Sequence, residues 1–411
     1  MSTNASSATT GSWVATWAGP IARHPEPREP IGNQTVRLRV EASVGGRAVR
    51  VVLTNEYGTK VLYVGAASVT TVDEQGVEGE PKTLTFGGQK DIEIAVGAIA
   101  LSDHVEVDVA PGQTLFVKLF LPRETVPESA VLLQGGLPET HPLYFAQPEW
   151  SRVDVSAEGD HTGSSGLPGA VPLTHMPFLS RVDVLAQPNV GAVAVLGTTY
   201  TDGLGVWPDY LSRRLNTEKG KESHAIINLS ARGGSLSRGH APSGREGVVT
   251  LFDREVLTLP GLTHVIVSEA RQDIATSGTR SLNADGSVAE ADADPTGASP
   301  VTAEILKAAY RQLIARGHAN GVKVLAATMP PFRGVPAPGY YNEDKEATRE
   351  ELNRWILDSG EFDGVIDIDG IVRDPADTHQ YREEFRSLNL FGPSPAGHAA
   401  IADSIDTAIF G

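Results

Sequence analysis

Eleven histidines and not one cysteine set the terms for any chemistry this chain performs. Without thiols there is no disulfide, no thiolate nucleophile and no cysteine-ligated metal, whatever the compartment. Histidine is the usual acid–base partner of a nucleophile, so its placement matters most. His318 and His398 fall inside helix-like runs and read as structural or exposed. His240 and His379 fall in loops and could reach a site, although a solvated role is the stronger reading for each. No pair of His, Asp or Glu residues near the candidate residues has a recognised ligand spacing, so neither a metal nor another cofactor is expected. Gly233-Gly234 without an accompanying lysine is too weak a signal for a phosphate loop.

The elements that would position such groups fall into two kinds. The chain has 411 residues, enough for two or three domains. Its 43 glycines and 27 prolines show no period, which implies many turns and excludes a collagen-like chain. The formal charge of −17 is spread over both halves, which disfavours nucleic acid and anionic membranes as partners. The longest apolar runs, Val190 to Gly197 and Leu262 to Val267, are too short to span a bilayer. Met1 to Ser12 lacks the basic and apolar segments of a secretory signal, so a disordered tail over 1–12 and a cytoplasmic location are expected.

From 13 to 150 the runs Val36 to Val44, Ala48 to Asn55, Ala66 to Val72, Asp91 to Val96, His104 to Val109 and Thr114 to Leu121 alternate apolar and polar residues. That period predicts short strands, with Gly45-Gly46 and Gly87-Gly88 at hairpin turns, and an antiparallel β-sandwich of jelly-roll type. Residues 151–177 are rich in Gly, Ser and Pro and read as a linker. From 178 to 411 short apolar runs at Ala192 to Leu196, Ala225 to Leu229, Thr263 to Ser268, Val322 to Thr328 and Gly364 to Ile368 alternate with helix-like runs. Those helices are expected at Trp207 to Thr217, Glu246 to Leu257, Thr302 to Ala319, Asp344 to Asp358 and Pro395 to Phe410. The alternation predicts a three-layer α/β domain with a parallel sheet. Ala275 to Pro300 is polar and patternless, and reads equally as a lid or as disorder.

WVATWAGPI near the N-terminus, FLSRVDVLAQP (Phe178 to Pro188), VAVLGTTYTDG (Val193 to Gly203), VIVSEARQDI (Val265 to Ile274), AYRQLIARGHANGVKVLAAT (Ala309 to Thr328) and FDGVIDIDGIVRDPAD (Phe362 to Asp377) together resemble the SGNH (GDSL) hydrolases. The likeness is to the actinobacterial subgroup with an N-terminal β-domain and runs from Trp13 to Phe410. It implies a flavodoxin-like sheet and an esterase pocket at the ends of its strands.

What the resemblance implies residue by residue differs from a working esterase. The family's nucleophilic serine falls on Thr199, within Gly197-Thr198-Thr199-Tyr200-Thr201. Its oxyanion-hole asparagine, in a Gly-x-Asn-Asp block, falls on Gln272 of Ala270-Arg271-Gln272-Asp273. The glycine of the second block falls on Ser230 or Ala231. The Asp-x-x-His-Pro block falls on Asn389 to Pro393, with glycine, Gly392, at the base and Asn389 in place of the orienting carboxylate. A threonine hydroxyl is a weak nucleophile without a base, so helix capping or pocket lining is the stronger reading for Thr199. Tyr200 reads equally as a core residue and as a proton donor. Asp202 and Asp273 could serve as acid or base, with loop hydrogen bonding the stronger reading. Arg232 and Arg271 each offer a planar fork for a carboxylate or phosphate, with an ordinary surface arginine the even alternative.

Three function classes follow. The first is a repurposed biosynthetic enzyme that cyclises, eliminates from or isomerises a small anionic or strongly polar molecule in the relined pocket. The second is a non-catalytic binder of a ligand or carbohydrate. The third is an acylhydrolase using Thr199 with a relocated base.

Overall fold

A computed structural model of the protein describes residues 11–23, 29–132, 153–197, 206–216, 223–231, 234–237, 246–277, 301–336, 339–387 and 390–411. The alternating N-terminal runs form β1 (Ser12–Ala18), β2 (Ile21–Arg23), β3 (Gln34–Glu41), β4 (Gly46–Thr54), β5 (Leu62–Val64), β6 (Ala66–Thr71), β7 (Lys82–Leu84), β8 (Ile92–Ile94), β9 (Ile99–Leu101), β10 (Val105–Val109), β11 (Thr114–Leu121) and β12 (Ser129–Leu132). They continue through β13 (Val153–Glu158), β14 (Val171–Leu173), β15 (His175–Pro177) and β16 (Leu179–Ala186). One sheet has the order β1-β16-β4-β10 with β9 also on β4, and another runs β14-β13-β3-β11-β6-β7. Every pairing in both is antiparallel. Alternate residues Val36, Leu38 and Val40 of β3 and Leu115, Val117, Leu119 and Leu121 of β11 are buried in the core between the sheets. This is the expected β-sandwich.

Three expectations fail. The segment 151–177 is not a linker: Val153 and Val155 pair with Leu38 and Val36, and β15 pairs with β12. Its polar middle carries no apolar period because hydrogen bonds hold it instead. Lys118 Nζ donates to the carbonyls of Ser164 (2.6 Å) and Gly166 (3.1 Å), and Ser68 Oγ donates to Thr162 O (2.7 Å). The α/β domain also starts later than 178, because β16 lies between β1 and β4 inside the sandwich. Gly45-Gly46 makes no hairpin either, since β3 and β4 belong to different sheets and the turn crosses between them. Gly87-Gly88 does form a tight turn, both at positive φ and closed by Phe86 N–H to Gln89 O at 2.8 Å.

The second half is built on β17 (Gly191–Gly197), β18 (His224–Asn228), β19 (Leu262–Ser268), β20 (Lys323–Ala327) and β21 (Gly364–Ile366). They pair in parallel in the order β18-β17-β19-β20-β21, the doubly wound flavodoxin-like order. Successive side chains alternate between faces: Val193, Val195, Ile266 and Leu325 join one core cluster, and Ala192, Ala194, Val265 and Val324 the other. The helices are α1 (Trp207–Asn216), α2 (Val248–Leu251) running into a π turn at Phe252–Val256, α3 (Arg271–Thr276), α4 (Ala303–Ala319), α5 (Glu343–Asp358), α6 (Ile368–Val372) and α7 (Pro395–Ser404). Side-chain oxygens of Thr302, Asn342 and Ser394 cap α4, α5 and α7. The expected helix to Phe410 stops at Ser404, and Asp406 caps a separate 3₁₀ turn.

The halves share one continuous apolar cluster that runs from Val14 and Leu38 to Ala192 and Val265. Backbone contacts seal it: Ala15 N–H donates to Pro260 O (3.0 Å), and Ile226 N–H to Ser43 Oγ (2.8 Å). Gly261 sits at φ +76°, and a Cβ there would stand 3.0 Å from Val14 Cγ2. Tyr57 OH of the sandwich donates to Glu246 Oε2 (2.7 Å) across the same boundary.

Candidate functional site

In an open parallel sheet the ligand crevice lies beyond the carboxyl ends of the strands, where neighbouring connections leave in opposite directions. Here that point is between β17 and β19. Thr199, Tyr200, Asp202, Arg232 and Asn389, together with His240 and residues 278–300 of the expected lid or disordered stretch, lie outside the described residues.

The turn after β18 is drawn onto β17 by Ala231 N–H to Gly197 O at 3.0 Å. Ser230 N–H donates to Asn228 Oδ1 (3.1 Å), and the Ser230 hydroxyl is buried with no hydrogen-bond partner among the described residues. After β19 come Glu269 and Arg271, 1% and 0% exposed, on either side of Ala270. Ala270 has φ +91°, the left-handed region that a residue with a Cβ rarely adopts. The Glu269 carboxylate lies against Gly234: a Cβ there would stand 2.9 Å from Glu269 Oε1 and 2.8 Å from Ala231 O. Glu269 is therefore packed against the turn that follows β18, at the carboxyl end of β19. Sequence reasoning passed over it, although an acidic residue closing the apolar run VIVS was the available signal.

Arg271 is not a surface arginine. Its Nη2 donates to Phe391 O at 2.5 Å, and its guanidinium lies 5.9 Å from the Tyr340 ring centroid. Tyr340 in turn donates to Gln272 Oε1 (3.3 Å) and meets Phe391 and Phe332 edge-on. Lys345 fixes this wall: its buried Nζ donates to Ala275 O (2.7 Å) and Gly339 O (2.6 Å), and burial lowers its pKa to about 8. Leu390, at φ +60°, precedes Phe391 as Ala270 precedes Arg271, so left-handed backbone flanks both ends of the bond. Gly392 follows, buried, with its carbonyl accepting from Ser387 Oγ at 2.6 Å. Arg271 thus grips the residue next to the position where the resemblance places the base.

Asp273 anchors the turn at residues 235–237. Its carboxylate accepts from Ser235 Oγ (2.8 Å), Leu236 N–H (2.7 Å), Ser237 N–H (2.9 Å) and Ser237 Oγ (2.6 Å), which occupies both oxygens. His398 is structural as expected: its Nδ1 accepts Trp207 N–H at 3.3 Å, and burial lowers its pKa to about 4. His318 pairs with Asp363 at 2.7 Å, far from the crevice at the other end of β20.

His379 comes close to Glu346 and Glu350, with donor atoms all within 4.8 Å. This donor set suits a cation poorly. Arg349 already holds Glu346 and Asp369, and Arg333 Nη1 lies 3.5 Å from His379 Nδ1. A guanidinium can only donate, so Nδ1 accepts and the proton sits on Nε2, facing Glu350 at 3.3 Å.

Residues 193–400, just over half of the chain, match the GDSL-like lipase/acylhydrolase family, and the chain belongs to it. Among solved structures it is similar to a carbohydrate acetylesterase from Sinorhizobium meliloti (14% identity, 52% of this chain and 94% of that one, TM-score 0.37). It is also similar to a GDSL-like lipase from Bacteroides thetaiotaomicron (15%, 53% and 87%, 0.37) and to an aryl esterase of M. smegmatis (13%, 52% and 95%, 0.35). No curated protein matches the chain. Among the described residues no helix is long and apolar enough to cross a membrane.

Proposed function

We propose that this GDSL-family chain has exchanged ester hydrolysis for a non-hydrolytic conversion of a small polar molecule, a cyclisation, elimination or isomerisation, at the carboxyl ends of β17 and β19. The observation that carries the reading is the pair Glu269 and Arg271, fully buried on both sides of a left-handed alanine in the crevice. Burying an ion costs several kcal/mol before its partners are counted, and such backbone costs about 1–3 kcal/mol more. A pocket that had merely decayed would be expected to lose both. In this scheme Glu269 takes a proton from one atom of the substrate and returns it to another atom or to the leaving group, which needs no water and no co-reactant. Arg271 and Gln272 orient the molecule, and the Phe332, Tyr340 and Phe391 wall excludes solvent.

The test is to incubate the purified protein with a fractionated small-molecule extract and follow each compound by mass spectrometry. A compound consumed by the wild type and left intact by a folded Glu269→Gln variant is the expected result. Compounds that are retained by the protein and released unchanged would replace catalysis with binding.

A further inference from the structure

At the amino edge of the parallel sheet, opposite the crevice, two histidines are buried side by side. His224 opens β18 and His264 lies in β19, on the face where Ile226 and Ile266 join the apolar cluster that also holds Phe410. Between them β17 begins with Gly191, where a Cβ would stand 2.9 Å from His224 Cδ2 and 3.0 Å from Thr263 Cγ2, so only glycine leaves room for the rings. The rings are 5.7 Å apart, and Phe410 of the 3₁₀ turn Thr407–Phe410 closes over them at 5.8 and 5.6 Å.

Each histidine has a ring nitrogen that is buried and unbonded among the described residues, Nδ1 of His224 and Nε2 of His264. A proton added to either ring therefore puts a cation with an unpaired N–H into an apolar cluster. Among the described residues two further charges reach the pair. Lys323 is the register partner of His264 on β20, and Asp363 is already committed to His318 Nε2 and Val324 N–H, both at 2.7 Å. The turn's own Asp406 is exposed and caps Ala408 N–H at 3.0 Å. Two imidazolium ions would thus repel each other and Lys323.

The turn is docked by side chains alone. Its backbone bonds are local, Ile409 N–H to Asp406 O and Gly411 N–H to Ala408 O, each 3.1 Å. Phe410 rests on the histidines and Ile409 against Gly364. Arg214 Nη1 fixes the chain just before it, at Ala402 O (2.6 Å) and Ile405 O (2.8 Å), so the turn can leave while α7 stays.

We propose that His224, His264 and Phe410 form an acid-operated catch, in which protonation of the histidine pair undocks the turn Thr407–Phe410 from the sheet edge and neutral pH docks it again. Burial lowers His264 to about 4 and moves His224 the same way, whereas a ring opened to water titrates near 6.5. Undocking is therefore favoured as the pH falls below about 6.5, by roughly 25-fold between pH 7.5 and pH 5 from His264 alone. The catch does not depend on the chemistry proposed for the crevice.

Two measurements on the full chain test it. In nuclear magnetic resonance titrations the His224 and His264 ring signals should shift well below pH 6.5 in the wild type and move back toward 6.5 in Phe410→Ala. Unchanged midpoints in that variant would overturn the proposal. In hydrogen exchange, corrected for intrinsic rates, protection of segment 405–411 should fall about tenfold or more from pH 7.5 to pH 5, while β18 and β19 keep theirs. The fall should vanish when His224→Gln and His264→Gln are combined and persist in His398→Gln. A fall that survives the double variant, disappears in His398→Gln or spreads equally to β18 and β19 overturns the catch, as does a segment unprotected at pH 7.5.

Discussion

The sandwich and the edge of the parallel sheet both bury charge, and they treat it differently. In the sandwich, Lys118 is fully buried and its Nζ reaches Glu78 Oε2 at 2.7 Å, while Arg37 spans Glu78 (3.0 Å) and Asp154 (2.7 Å). That network is closed apart from Arg37 Nε, which is buried without a partner among the described residues, and the remaining donors of Lys118 hold the chain at Ser164 and Gly166. At the sheet edge Asp273 is closed in the same way, around residues 235–237. Elsewhere in the α/β half, however, the hydroxyls of Ser230 and Tyr381 are buried without partners among the described residues. A polar group whose bonds are all made stabilises the fold, whereas one left open in a crevice is available to something else.

Three experiments press on that difference. On the function proposed above, the largest effect is expected at the edge: short activated acyl esters should be hydrolysed no faster than by heat-denatured protein, because a chain without a nucleophile–base unit forgoes on the order of 10⁶ in turnover. Thr199→Ser alone should restore nothing, since Gly392 supplies no base. Robust turnover abolished by Thr199→Ala would put a hydrolytic machine back at the edge and end the contrast.

A smaller effect is expected in the sandwich, where Lys118→Met should lower the unfolding free energy by about 3 kcal/mol, because it breaks a buried pair and frees two carbonyls. Urea unfolding checks this. A neutral result would mean that the closed network is ornamental and that closure does not distinguish the two regions.

The smallest is a pH effect confined to the α/β half. Burial lowers His398 and His264 to about 4, and His224 moves the same way. Thr263 Oγ1 donates to Ala192 O (3.1 Å) and so accepts from His264 Nδ1 (2.8 Å), leaving Nε2 bare and buried. The unfolded chain binds these protons near pH 6.5 and the folded one only near 4, so stability is full above about pH 6.5 and declines as the pH falls toward 4. For His398 alone the loss between pH 7.5 and pH 5 is about 2 kcal/mol. Urea unfolding of His398→Gln should be correspondingly less sensitive over that range, and an unchanged slope would contradict the assignment.

Much of the fold was legible because hydrophobic period is a local property. The runs Ala192 to Leu196 and Thr263 to Ser268 became β17 and β19 within a residue. Residues 159–170 were not legible, because polar bonds to Lys118 and Ser68 hold them, and such bonds leave no period in the sequence. The boundary at 178 was misplaced for a related reason, since strand β16 reads alike whichever sheet receives it. At the site, the loop hydrogen bonds of Asp273 match the stronger of two readings of its type, the other being an acid, base or ligand group. Arg271, Glu269 and Tyr381 were not resolved, because a charged or polar residue gives no sign in one dimension of whether it ends up in water or in the core.

The short crossing from Ala186 to Gly191 constrains how the molecule can move. It is one turn, closed by Val190 N–H to Gln187 O at 3.1 Å, and on its two sides Val14 lies against Gly261 and Ser43 holds Ile226. A connection so brief, bolted on both flanks, has no slack to act as a hinge. The two lobes should therefore tumble as a single rigid particle, and a guest molecule is admitted with no contribution from one lobe swinging against the other.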